Sequence, residues 1–91
     1  MKLYQRPAFI RAMKKRPAAE QEQIRQRARR VAEVIGQPHA HSGLGVRPFG
    51  RYFEFRVGMR IRCLFLLEAG DLHLVMVGTH DELSAYIGNN R

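Results

Sequence analysis

From Arg51 to Val77 the chain reads RYFEFRVGMRIRCLFLLEAGDLHLVMV, and apolar residues fall at every second position through most of it. A two-residue period belongs to strands, whose side chains point alternately to opposite faces. In Arg51–Val57, Phe53, Phe55 and Val57 are expected on the core side, and Tyr52, Glu54 and Arg56 on the other. Gly58-Met59 marks a bend. In Arg60–Leu67, Ile61, Cys63, Phe65 and Leu67 are expected inward, and Arg60 and Arg62 outward. Ala69-Gly70-Asp71 is a hairpin turn. Leu72–Val77 is apolar on both faces apart from His73, which fits a strand covered on both sides. One face of this sheet is thus expected to meet water and to carry arginines.

The first third has the helical period instead. Pro7 suits a first helical turn, where its missing N–H would be unpaired anyway. Phe9, Ala12 and Met13 then form an apolar stripe. Pro17 stops this helix and opens the next, whose stripe is Ile24, Ala28, Val31, Ala32 and Ile35. Arg25, Arg27, Arg29 and Arg30 lie on its polar side, and Gly36 is placed to end it. Lys2–Gln5 is a candidate short strand, and residues 37–50 read as a loop running into a strand. After Gly78, Thr79 and Glu82 have the capping-box spacing, so a last short helix is expected over His80 to Tyr86. The expected fold is one α+β domain over residues 1–91. An N-terminal αα-hairpin packs on a three- to four-stranded, mainly antiparallel sheet, and a short C-terminal helix follows.

Charge narrows the function classes. The chain of 91 residues has 16 Lys and Arg against 8 Asp and Glu, a net charge of +8. Residues 36–65 hold five arginines and one acid, Glu54. This uneven excess points to a polyanion or an acidic protein as partner. The single cysteine, Cys63, excludes a disulfide framework and a multi-cysteine zinc site. No apolar run approaches the length of a membrane span, and MKLYQRPAF lacks the apolar core of a signal peptide, so no membrane and a cytoplasmic location are expected.

Three segments together resemble the RelE/ParE superfamily of toxins from type II toxin–antitoxin modules. They are Phe9-x-Arg11-x-x-Lys14-Lys15, then Tyr52–Gly58 followed by Arg62-x-x-Phe65, and finally Val77-Gly78-Thr79-His80-Asp81-Glu82. The likeness spans nearly the whole chain and is greatest to the RelE-like branch. It implies a ribosome-dependent mRNA endonuclease that works without metal or other cofactor, through attack of a ribose 2′-OH on the adjacent phosphate. It also implies an antitoxin partner, expected here to be acidic and amphipathic, besides the ribosome and mRNA. A gyrase inhibitor of the same fold and a basic binding module with a decayed site are the alternatives.

Such cleavage needs a base, cations around the phosphate and an acid for the leaving oxygen. His80, which matches the family's histidine, is the first candidate for proton transfer; otherwise it orients the C-terminal turn. Asp81 would orient that imidazole or simply add negative charge at a helix start. Arg62 matches the family's phosphate-gripping arginine, and its alternative is an ion pair with Glu54 across the sheet. Arg60 is its rival for that role. Arg56 would extend the phosphate surface, while Arg47 and Arg51 would bind RNA backbone. His41 matches a loop histidine that is catalytic in some family members. His39-x-His41 is too small a set for zinc. Tyr86 would stack a base or pack on the sheet. Met76 stands where several family members have a cation.

Overall fold

The computed structural model describes residues 1–35 and 43–90. Five strands and three helices follow in the order β1 (Leu3–Gln5), α1 (Pro7–Lys14), α2 (Ala18–Val34), β2 (Arg47–Phe49), β3 (Tyr52–Val57), β4 (Ile61–Glu68), β5 (Asp71–Gly78) and α3 (His80–Asn89). The sheet order is β1-β5-β4-β3-β2. Only the β1–β5 pair is parallel, so the sheet is mixed and has five strands. The expected three or four strands fall short because both edges are only three residues long. Arg47–Phe49, read from sequence as loop, pairs with Tyr52–Glu54 across a tight turn at Gly50-Arg51. Pro48 is tolerated there because β2 is an edge strand.

The first face of the sheet is covered by the two N-terminal helices. Pro7 occupies the start of α1, and Phe9 and Met13 are buried one turn apart. Pro17 precedes α2, which buries Ile24, Ala28, Val31 and Val34. No side chain caps the N-terminus of α2. Its stability therefore comes from packing, at about 1.5–3 kcal/mol for each fully buried large aliphatic side chain. These residues meet Phe55, Val57, Ile61, Cys63, Phe65, Leu72, Leu74 and Val77 in one core. Coverage is incomplete toward the far ends of β3 and β4. Phe53 and Leu67, expected inward, stay 36% and 41% exposed, and Phe53 lies against Phe65 with ring centroids 5.7 Å apart.

The second face is wet only in part, around Arg47, Arg56 and Arg62, where alternation alone would have it wet throughout. α3 folds back across it, and Tyr52, Leu64, Val75 and Leu83 form a second core with Phe49, Met76, Tyr86 and Ile87 packed around it. Tyr52 and Glu54, expected outward to water, are both buried. The face changes count along β5. Leu64 pairs with Met76 but Phe65 pairs with Leu74, which leaves Val75 as the extra residue of a bulge. Val75 and Met76 consequently both face α3, and Val77 returns to the first core.

The hairpin turn is Ala69-Gly70, with both residues in the left-handed region at φ 51° and 81°, and Glu68 pairs with Asp71 across it. This backbone is that of a type I′ turn, whose twist suits a two-residue hairpin. Arg60, expected on a strand, belongs instead to the turn between β3 and β4, since pairing closes at Val57 and Ile61.

Candidate functional site

The site lies where α3 stops covering the second face. Arg56 on β3 and Arg62 on β4 are cross-strand partners. Arg47 on β2 is the partner of Glu54, on the same face as both. These three arginines, with Gly45 and Val46, line a concavity of about 140 Å³.

Two local features fix its shape. The Arg56 backbone N–H donates to Leu44 O at 3.0 Å, which draws the Leu44–Val46 segment against β3. Gly45 has φ +67°, and a Cβ there would stand 2.9 Å from Arg56 Cβ and 3.0 Å from its Nε. Only glycine lets Arg56 cross that backbone so closely.

Glu54 forms the floor. Its side chain is 1% exposed, and its Oε1 accepts from Arg47 Nε at 2.6 Å and from Arg62 Nη1 at 2.8 Å. Its Oε2 is buried and has no hydrogen-bond partner among the described residues. A buried carboxylate is costly unless cations pair with it, and here two do. The Arg62–Glu54 pair anticipated from sequence is thus present. The two ion pairs of Glu54 use only one of the five donors on each guanidinium, and Arg56 has no ion-pair partner among the described residues.

His80 is the first residue of α3 and is exposed. Its ring lies 5.2 Å from that of Phe49, tilted by 58°. Phe49 pairs with Tyr52 two residues along β2 from Arg47, so it brings the imidazole over the face that carries the arginines. The helix start is fixed by a complete capping box. Thr79 Oγ1 accepts from the Glu82 backbone N–H at 3.2 Å, and Glu82 Oε1 accepts from the Thr79 backbone N–H at 2.9 Å. These bonds, chiefly that from the Thr79 backbone, and the nearby Arg16 guanidinium hold the Glu82 carboxyl below its ordinary range. Arg16 Nη2 donates to Glu82 at 3.2 Å and Nη1 to Glu20 at 3.3 Å, which ties the α1–α2 turn to the beginning of α3.

The remaining candidates are dispersed. Asp81 is exposed in the first turn of α3 and makes no hydrogen bond to His80. Arg51 sits in the β2–β3 turn, donates to Tyr52 Oη at 3.1 Å and lies 5.1 Å from the centre of that ring. Arg60 is exposed in its turn. Tyr86 packs on the second core, and with Arg11, Lys15, Met76 and Asn90 it borders a separate groove between α1 and α3. His41, and with it His39, lies outside the described residues. Among the described residues, no three His, Cys, Asp or Glu side chains come together as metal ligands. On α2, Arg25 and Arg30 pair with Glu22 and Glu33 at 3.6 Å. No described helix is long and apolar enough to cross a membrane.

Sequence reasoning missed Glu54 as the floor, Phe49 as the seat of the imidazole and Gly45 as the crossing point. A signal for Glu54 existed, since it is the lone acid among five arginines.

The three-helix, five-stranded arrangement is shared with solved toxin structures. A RelB–RelE antitoxin–toxin complex from Methanococcus jannaschii superposes with a TM-score of 0.65 over 91% of this chain and 96% of that one, at 14% identity. A YoeB/ParE toxin from Agrobacterium tumefaciens gives 0.65 over 88% and 99%, at 19% identity. A RelE–RelB complex from Pyrococcus horikoshii gives 0.64 over 86% and 92%, at 10% identity. The chain has the RelE-like fold. No protein-family model matches the sequence, and no curated protein does. At these identities the likeness is one of fold, and the chemistry of a RelE-like chain has to be argued from its own side chains.

Proposed function

We propose that this protein is the toxin of a toxin–antitoxin pair and cleaves mRNA on the ribosome. The observation that carries this reading is the concavity of Arg47, Arg56 and Arg62 on the sheet face where Phe49, two residues from Arg47, contacts the His80 ring. Guanidinium groups match the two free oxygens of a phosphodiester with paired N–H donors, and they also stabilise the extra charge of a pentacoordinate phosphorus. The exposed imidazole of His80, in contact with Phe49 on the same face, can accept a proton or donate one.

In this reading His80 accepts the proton of a ribose 2′-OH. The 2′-oxygen bonds to the adjacent phosphorus, the bond to the 5′-oxygen breaks, and that oxygen takes a proton from solvent at the open face. The products are a 2′,3′-cyclic phosphate and a 5′-hydroxyl end. The net charge of +8 favours contact with ribosomal RNA, whose phosphates release counterions on binding. An acidic, amphipathic antitoxin would lie over the same basic face. The RelB–RelE complexes of the same fold support that partner class.

Met76 favours a second reading, in which the chain binds RNA without cutting it. That residue packs on the second core and brings no cation to the face. Brief induction with pulse labelling separates the readings. Cleavage predicts a halt in translation within minutes, new 5′-hydroxyl mRNA ends, and loss of both in a His80→Ala, Arg62→Ala double variant. An arrest of DNA synthesis with intact mRNA would replace this reading with a gyrase-type target.

A further inference from the structure

We propose that Glu54 is the positioning residue of the three-arginine pocket, holding Arg47 and Arg62 ready to receive one phosphate group of the RNA. The inference rests on the RNA reading above and adds to it a residue that never touches the ligand.

Three observations carry it. The carboxylate is fully covered, so no ligand reaches it. Both arginines converge on the same oxygen, one from β2 and one from β4, on either side of Glu54 in the sheet. Arg47 is held through Nε and Arg62 through Nη1, which leaves Arg47 both terminal nitrogens and Arg62 its Nη2 for the pocket. A competing counter-ion would be expected to take the outward nitrogens that a phosphate needs. Here the carboxylate takes the inner Nε of Arg47 and only one of the two terminal nitrogens of Arg62. A concavity of about 140 Å³ with three guanidinium groups on its walls suits a single phosphate.

The proposal has a sign that simple electrostatics does not share. Replacing Glu54 by a neutral residue removes a negative charge close to where a polyanion binds. Coulomb's law alone then predicts tighter binding. Positioning predicts weaker binding, because two arginine side chains must be ordered at the moment of association. At about 0.5–1.5 kcal/mol for each, the two together cost about 5- to 150-fold in affinity, and the lost repulsion of the carboxylate places the net effect toward the lower end, about tenfold.

The test uses the full chain and a short single-stranded RNA blocked from cleavage by 2′-O-methyl groups, with affinity read by fluorescence anisotropy at fixed salt. Glu54→Gln, checked for folding by thermal melting, should bind about tenfold more weakly than wild type. Equal or tighter binding would overturn the proposal. Arg56→Ala and Arg62→Ala are measured beside it. If both bind like wild type, the RNA pocket itself is refuted and the role of Glu54 falls with it. If they lose affinity while Glu54→Gln does not, only the positioning role fails. Should Glu54→Gln not fold, the wild type decides alone. Its Arg47 Nε–H resonance, followed by ¹H–¹⁵N NMR, should keep its carboxylate-bonded position through saturation with the RNA, and movement to an unpaired position would show that the ligand displaces Glu54.

Discussion

Arg56 and Arg62 stand directly opposite each other across the β3–β4 pair, like charges at a cross-strand position. Such a pair disfavours the sheet by a few tenths of a kcal/mol or more, so the arrangement costs stability at the proposed phosphate pocket. Arg56→Gln should raise the melting temperature by roughly 1–5 °C at low salt. The same variant should bind single-stranded RNA more weakly, with the salt slope reduced by about 0.7 for the lost phosphate contact. A lower melting temperature, or an unchanged slope, would contradict this account of Arg56.

His80 is exposed and its contact is with one ring, so its removal should barely affect folding. His80→Ala is expected to change stability by no more than about 0.5 kcal/mol and to reduce mRNA cleavage by about 10²–10⁴-fold. RNA affinity should stay near that of wild type. Full cleavage by this variant would move proton transfer to another group.

The capping box makes the stability of the α3 start depend on pH. The Glu82 carboxyl is held below its ordinary value in the folded state. A depressed acid contributes stability that is complete above the unfolded value and lost as pH falls through the folded one. The melting-temperature gap between wild type and Glu82→Gln should therefore be widest at neutral pH. It should close as pH is lowered below about 4.5, the ordinary carboxyl value. Thr79→Ala, which removes the other half of the box, should cost about 1 kcal/mol at neutral pH.

Cys63 is fully buried on the first face of the sheet, and burial pushes its thiol far up. Little thiolate forms, and none of it meets solvent. The native protein should resist a thiol-specific reagent such as Ellman's reagent at pH 8 and react fully once denatured. Rapid labelling of the native chain would show that the β4 region opens.

The fold was legible wherever period and punctuation agreed. Pro7 and Pro17 bounded the first helix, the stripe from Ile24 to Ile35 gave the second, and Thr79 with Glu82 placed the third. The short edges escaped because three-residue strands such as Leu3–Gln5 and Arg47–Phe49 have almost no period to read. The larger error concerned the second face. Alternation separates two faces but does not say which is wet; a ten-residue helix returning over the sheet put Tyr52 indoors, and the ion-paired Arg47 and Arg62 lie over Glu54. Of the candidate site, Arg62, Arg56, Arg47 and His80 could be nominated from type and placement. Their convergence was not, because it depends on Glu54 accepting from two strands and on Gly45 yielding space to Arg56.

The extra residue at Val75 sets the odd–even count of β5, and that count decides on which side of the sheet the chain emerges. With Val75 removed, strict alternation would carry Gly78 and Thr79 to the face already filled by α1 and α2. The last helix would then be launched away from the arginines. A one-residue deletion between Leu74 and Gly78 is in this sense a change of topology, while the loss of two adjacent residues preserves parity. The loop from Gly58 to Arg60 carries no such constraint, since the strands on either side of it are already paired at Val57 and Ile61. Length variation should accordingly collect in that loop and avoid the end of β5, where one residue separates a chain whose imidazole shares a face with its arginines from one in which the two lie on opposite sides of a sheet.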